Sequence, residues 1–138
     1  MSLFRPSAVV KIVNATQGNT VCERCAVADS MWVRGKGLLG RKDLPADEGI
    51  LLVPGTAIHM FGMKFAIDVI FLTRDDVVTD LVEAIAPGRA YVARAHHGKP
   101  YAALELPVGV VARTATQRGD RISRETREPP APTGSLRT

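Results

Sequence analysis

The sequence predicts a mainly β domain, a compact barrel or sandwich of short, mostly antiparallel strands with one short helix. Three observations predict it. Short runs rich in Val, Ile and Leu recur along the chain, and Gly, Pro, Asn or Asp interrupts them at short intervals. Only the stretch from about Ser30 to Leu39 has a capping residue ahead of a helix-length segment. The length of 138 residues and the 46% hydrophobic content suit one domain with its own core.

Each element follows from a local pattern. A turn at Gly18 joins the first strand to the second, and turns at Pro54-Gly55 and Pro87-Gly88 separate later strands. We predict strands near residues 9–13, 20–28, 50–53, 57–61, 65–72, 77–85, 91–95, 102–106 and 122, with 110–114 as a helical turn or an edge strand. Residues 1–126 form the predicted domain. Residues 127–138 hold three prolines and little to bury, which predicts a flexible tail.

Charge and composition exclude several classes of protein. The 18 basic and 14 acidic side chains leave a net charge of +4 without a run of like charges, and aromatic residues make up 5%. Both values disfavour a nucleic-acid surface. No apolar run approaches the roughly 18 residues that would cross a bilayer. The N-terminus lacks a signal pattern, and two cysteines are too few to staple an exported domain. We expect a cytoplasmic protein, a monomer or homodimer, with no cofactor.

Asp68 is the one polar residue in the apolar run from Phe65 to Leu72, so we expect its carboxylate to be at least partly buried and to need a partner. The candidate partners are Arg34, Arg41, Lys64 and His59. One interpretation is a carboxylate tuned by a binding pocket. The other is a structural ion pair that fixes the helix and loop onto the sheet, and this one is favoured.

His59 lies nine positions before Asp68, and in an unbroken strand the two side chains face opposite ways. An irregularity near Gly62 would reverse this parity and allow them to pair. His59 could be a general base, a metal ligand or a hydrogen-bonded core histidine. The neighbouring Met60 and Met63 are predicted to fill the core.

Cys22 and Cys25 form a single C-x-x-C motif. In a flat strand their sulfurs point to opposite faces, whereas a local turn could bring them together. Zinc would need two more ligands, from His59, His96, His97 or an acid. We therefore predict no metal and two reduced thiols, with Cys22, Cys25 and His59 as the weak metal candidates.

Two further segments have simple interpretations. Glu105 lies between Leu104 and Leu106, faces away from them, and is predicted to contact solvent. The stretch His96-His97-Gly98-Lys99-Pro100 is predicted to be an exposed loop.

Four segments stand in a characteristic order: Arg34-Gly35-Lys36-Gly37-Leu38-Leu39-Gly40-Arg41, then residues 58–72, then Leu104-Glu105-Leu106-Pro107-Val108-Gly109, and finally Gly119-Asp120. Together they resemble the domain of unknown function family number 192, over about residues 8–124. The resemblance implies a compact, mainly β domain with a short helix and no established enzymatic activity. It places Arg41, His59, Met63, Asp68 and Glu105 in the segments that define the family.

The main functional hypothesis is a non-catalytic domain that binds a small molecule or a protein partner near Arg41, His59 and Asp68. Met63 and Glu105 complete its proposed site. A metal-dependent or acid/base enzyme using His59 and Asp68 is the alternative, and it requires those groups within reach of each other beside an open cavity. No nucleophile elbow, phosphate loop or metalloprotease motif supports an enzyme. A regulator that contacts nucleic acid ranks last.

Overall fold

The computed structural model describes residues 8–28 and 42–127, and these residues form nine strands and one short helix. The strands are β1 (Ala8–Asn14), β2 (Asn19–Ala28), β3 (Glu48–Leu52), β4 (Ala57–His59), β5 (Ile67–Leu72), β6 (Val78–Ile85), β7 (Ala90–Val92), β8 (Ala102–Pro107) and β9 (Ile122–Arg127). The helix α1 (Val110–Thr114) lies between β8 and β9. The predicted mainly β fold is confirmed.

Seven strands form one sheet in the order β6-β5-β8-β3-β2-β1-β9, and β4 pairs with β7 in a separate two-stranded ribbon. Neighbouring strands are antiparallel except β2 and β3, which are parallel. The large sheet curls into a half-barrel whose two edge strands begin side by side. There Val77 bridges Arg121, and the Val78 amide donates to the Asp120 carbonyl at 2.8 Å. Of the two predicted architectures, the barrel is therefore the nearer description.

Both faces of the large sheet are covered, and each face has its own apolar cluster. The first core cluster includes Ile12, Cys22, Cys25, Leu51, Ile70, Leu104, Leu106 and Val111. The second core cluster includes Ile50, Ile58, Met60, Met63, Ile67, Val69, Phe71 and Ala103. Strand β5 sends alternate side chains into the two clusters, so all six of its residues are buried.

The described helix is α1. It occupies the segment for which the sequence allowed either a helical turn or an edge strand. Gly109 precedes it with a φ of 100°, a left-handed conformation that glycine adopts at little cost. Val110 and Val111 anchor it in the first core cluster. The helix predicted from about Ser30 to Leu39 lies outside the described residues, as do Arg41 and residues 128–138. Among residues 8–28 and 42–127, no helix has the length and apolar character needed to cross a membrane.

Candidate functional site

Asp68 is a buried acceptor of backbone hydrogen bonds. Its side chain is fully buried. Its Oδ1 accepts from the Ala84 amide at 2.8 Å, and its Oδ2 accepts from the Gly109 and Val111 amides at 3.1 and 3.0 Å. The carboxylate thus ties β5 to β6 and to the beginning of α1, where free amides need an acceptor. Among the described residues its hydrogen-bond donors are three amides, and this geometry favours a structural role over an open pocket; Arg34 and Arg41, two of the expected ion-pair partners, lie outside the described residues.

His59 lies away from Asp68, at the end of β4. It is exposed, and its ring stacks on Phe61 with centroids 5.0 Å apart. The chain does turn at Gly62, whose φ is 81°. This turn leads from the ribbon into the large sheet and does not join the two side chains. Met63, just beyond it, is buried in the second core cluster, as predicted for a core side chain.

Glu105 is fully buried, so the prediction of solvent contact is wrong. Its side chain does turn away from Leu104 and Leu106, but the second core cluster covers that face of the sheet as well. Ile50 and Val69 flank it on the neighbouring strands. Asp68 pairs with Leu106 of the first core cluster, so the two carboxylates lie on opposite faces. His59 and Met63 lie on the same side of the large sheet as Glu105. Arg41 lies outside the described residues.

Cys22 and Cys25 come together on one face of β2, in the first core cluster, and both are free thiols. The strand is therefore not flat between Cys22 and Cys25, and its local change of geometry brings the two sulfurs to the same face. His59, the third weak metal candidate, belongs instead to the side of the second core cluster. Within residues 8–28 and 42–127, no group of three or more His, Cys, Asp or Glu side chains could hold a metal ion.

A cleft of about 490 Å³ opens between the turn that joins β5 to β6 and the loop that precedes β8. We call it the basic cleft. Its lining residues are Thr56, Thr73, Arg74, Asp75, Val77, His97, Gly98, Lys99, Pro100 and Tyr101. The volume lies within the range of about 300–1,000 Å³ that small-molecule sites occupy in proteins.

Cationic side chains outnumber acidic ones in the basic cleft. Among the lining residues that the structure describes, Arg74 and Lys99 are cationic, His97 adds an imidazole, and Asp75 is the one acidic side chain. The Arg74 guanidinium lies 4.1 Å above the ring centroid of Tyr101, a cation–π contact that fixes its position. The cleft therefore presents an oriented guanidinium and an exposed ammonium to solvent.

Asp80 anchors the chain behind this cleft. Its side chain is fully buried, and it accepts from the Tyr91 hydroxyl at 2.7 Å and the Arg94 amide at 2.8 Å. The Leu81 amide and the guanidinium of Arg118 also donate to it. Burial raises the pKa of the Asp80 carboxyl, but these hydrogen bonds outweigh burial and leave the pKa below its usual value.

Thr79 fixes the loop that carries His97 and Lys99. Its hydroxyl donates to the Gly98 carbonyl at 2.6 Å and accepts from the His97 amide at 2.9 Å. The basic side chains on this loop therefore stand on a segment held by buried polar groups.

Sequence reasoning missed the basic cleft, although it identified residues 96–100 correctly as an exposed loop. A local signal was present. Five of the eleven residues from Arg89 to Lys99 are Arg, His or Lys. The distant Arg74 gave no comparable signal, because only the fold brings its turn beside this loop.

Comparison with known proteins gives two concordant findings. The sequence profile of DUF192, described as an uncharacterized ACR, matches residues 12–124. A UPF0127 protein from Thermococcus sibiricus is 35% identical over 121 residues, which cover 85% of this chain and 76% of the relative.

Two solved structures are similar to this chain. One, from Sinorhizobium meliloti, has been proposed to be a transcription regulator; it superposes with a TM-score of 0.70 over 85% of this chain and 92% of its own. The other is a protein of unknown function from Novosphingobium aromaticivorans, with a TM-score of 0.68 over 83% of each chain. Both are 24% identical to this chain, so the likeness concerns the fold.

Proposed function

This chain belongs to the DUF192 family, and within that family we propose that it is a non-catalytic binding domain whose ligand is a small molecule bearing a carboxylate or a phosphate. The ligand occupies the basic cleft. The observation that carries the proposal is the excess of cations among the described lining residues of a cleft of about 490 Å³, where Arg74 and Lys99 stand against one carboxylate, that of Asp75.

Arg74 and Lys99 suit different parts of one anion. A guanidinium can make a bidentate contact with two oxygens, and that of Arg74 lies over the Tyr101 ring. An ammonium group acts as a point charge and adapts to either anion. Tyr101 holds Arg74 in place, so less side-chain freedom is lost when the ligand binds.

The rest of the ligand would contact the less polar part of the lining. Val77, Pro100 and the Tyr101 ring supply apolar surface there. The hydroxyls of Thr56 and Thr73 provide neutral hydrogen-bonding groups. A bare phosphate fills only part of such a volume, and we infer that the anion is one end of a larger metabolite.

The proposal keeps the class of function that the sequence predicts and changes the site. We leave Asp68 out of the proposed site because both of its oxygens accept from amides. A site formed by Arg41, His59, Met63 and Glu105 stays a separate prediction. The regulator described among the structural relatives shares only the fold at 24% identity, so it gives no argument for nucleic-acid binding here.

The test is an NMR titration of the labelled chain with inorganic phosphate and, separately, with citrate. We expect saturable shifts at the amides of residues 73–77, 97–99 and 101, weakened by added salt. Arg74→Gln should weaken binding by about tenfold, the equivalent of about 1.4 kcal/mol for one charge-assisted hydrogen bond.

Lys64→Gln is the matched control, because it also removes one exposed positive charge and Lys64 does not line the basic cleft. It should change the affinity by less than about twofold. If phosphate and citrate cause no saturable shifts, the proposal is wrong. If Lys64→Gln weakens binding and Arg74→Gln does not, the ligand binds near His59, where the sequence analysis predicted the site.

A further inference from the structure

The C-x-x-C motif lies on a β-bulge that turns both sulfurs to the same side. Val10 pairs with Cys25, and Ile12 pairs with Cys22, so two steps along β1 correspond to three along β2. The extra residue reverses the parity that a flat strand would impose. The bulge thus leaves Glu23 and Arg24 exposed, while Cys22 and Cys25 both enter the first core cluster.

The two thiols are neighbours in the first core cluster, and each affects the pKa of the other. The Cys22 Sγ also lies 3.7 Å from the Asp47 carbonyl oxygen. Gly49 makes room for this sulfur, because a Cβ at that position would lie 3.1 Å from it. Such an arrangement differs from two isolated core cysteines, since the bulge puts both sulfurs on the same side of one strand and in the same cluster.

We propose that Cys22 and Cys25 are an oxidisable dithiol that closes to an intrachain disulfide in reaction with hydrogen peroxide. The Cys22 thiolate attacks one peroxide oxygen, an S–O bond forms, the O–O bond breaks, and the departing hydroxide takes a proton to become water. The Cys25 sulfur then attacks the Cys22 sulfur, an S–S bond forms, the S–O bond breaks, and the Cys25 proton leaves with the oxygen as a second water. The two thiols lose two electrons in all, and the hydrogen peroxide gains them.

The environments of the two sulfurs give them different roles. The hydrogen bond from Cys25 lowers the pKa of the Cys22 thiol and outweighs burial, which raises it. Burial raises the pKa of Cys25 well above its usual value, and the contact with Cys22 adds to this. Because the thiolate is the nucleophile, Cys22 attacks the peroxide and Cys25 resolves the intermediate.

Access selects the oxidant. Cys22 is 2% exposed and Cys25 is 0% exposed, so a bulky disulfide cannot line up with either sulfur. Hydrogen peroxide has two heavy atoms and needs only a small opening of the chain near Asp47. Oxidation also removes the S–H group that faces the Asp47 carbonyl, which loosens the segment before β3.

The test treats the reduced full-length chain with a few equivalents of hydrogen peroxide, followed by denaturing mass spectrometry and alkylation of the remaining thiols. We expect the loss of two hydrogen atoms per chain, no alkylation, and full reversal by dithiothreitol. When the peroxide-treated Cys25→Ser chain is unfolded in the presence of dimedone, a sulfenic-acid adduct should be trapped on Cys22. Cys22→Ser should give about tenfold less adduct on Cys25.

The unsubstituted chain decides the matter even if a variant folds poorly. Two thiols that stay open to alkylation after peroxide, oxygen added without loss of hydrogen, or dimers linked between chains would each overturn the proposal. A dimedone adduct that forms equally on either cysteine would overturn the assignment of Cys22 as the attacking group.

Discussion

Asp68 and Asp80 are both fully buried carboxylates in neighbouring strands, yet they are held in different ways. Within residues 8–28 and 42–127, Asp68 accepts only from backbone amides. Asp80 accepts from amides and also from Tyr91 and Arg118, and the Arg118 side chain is 42% exposed. A carboxylate satisfied by amides fixes the path of the chain. A carboxylate such as that of Asp80, which accepts from side chains that reach the surface, instead connects the core to the surface. Here that surface lies behind the basic cleft.

The largest expected effect is that of removing Asp68. In Asp68→Ala, three amides lose their acceptor, that of Val111 in the core, and α1 loses its tie to β5. We expect the free energy of unfolding to fall by about 3–5 kcal/mol, measured by urea denaturation. Asp75→Ala, on the exposed turn, should change it by less than about 0.5 kcal/mol. A loss of similar size in both variants would contradict the structural role assigned to Asp68.

The sequence could predict that the buried Asp68 carboxylate needs a polar partner. It could not predict which groups donate to it. An acidic residue in an apolar strand implies a partner wherever the strand packs. The Gly109 and Val111 amides lie more than forty positions away, and their direction depends on how α1 begins. The strands themselves were predictable, because alternation and turn residues are local.

Glu105 shows the limit of alternation in another way. The pattern places it correctly on the side opposite to Leu104 and Leu106. Whether solvent reaches that side depends on the second core cluster. Ile58 of the ribbon and Met60 of the following loop both belong to this cluster. The basic cleft has the same origin, because Arg74 and Lys99 meet only after the chain has passed through β6 and β7. Long-range packing decides both cases, and no local pattern encodes it.

Asp80→Asn is expected to have the next largest effect, and its size should depend on pH. At pH 7 the variant loses charge-assisted hydrogen bonds, a cost of about 1.5–3 kcal/mol. The folded-state pKa of Asp80 is lowered, so its stabilising contribution is complete above the unfolded carboxyl pKa of about 3.9. That contribution is lost as the pH falls through the folded-state pKa.

The measurement for Asp80 is the free energy of unfolding of both chains from pH 7 down into the acid range. The two curves should converge at low pH. The unsubstituted chain and the variant should both keep some acid sensitivity, because the pKa of Asp120 is also lowered: hydrogen bonds from the Asn14 side chain, the Gln17 side chain and the Gln117 amide outweigh its burial. A constant difference at every pH would mean that the Asp80 charge contributes nothing.

Tyr91→Phe is the smallest and sharpest test of the difference between the two carboxylates. Phenylalanine keeps the stacking on Phe71 and removes only the hydroxyl that donates to Asp80. We expect a loss of about 1 kcal/mol near neutral pH. The hydrogen bond to Asp80 raises the pKa of Tyr91, so its contribution is complete below the unfolded value of about 10. It disappears as the pH rises through the folded-state pKa.

Alkaline unfolding curves of the unsubstituted chain and the Tyr91→Phe variant should therefore meet above that pKa. Backbone amides do not titrate in this range, so the hydrogen bonds of Asp68 have no such alkaline limit. A difference between the two chains that persists at higher pH would show that the hydroxyl acts through packing. It would also remove Tyr91 from the link between Asp80 and the surface.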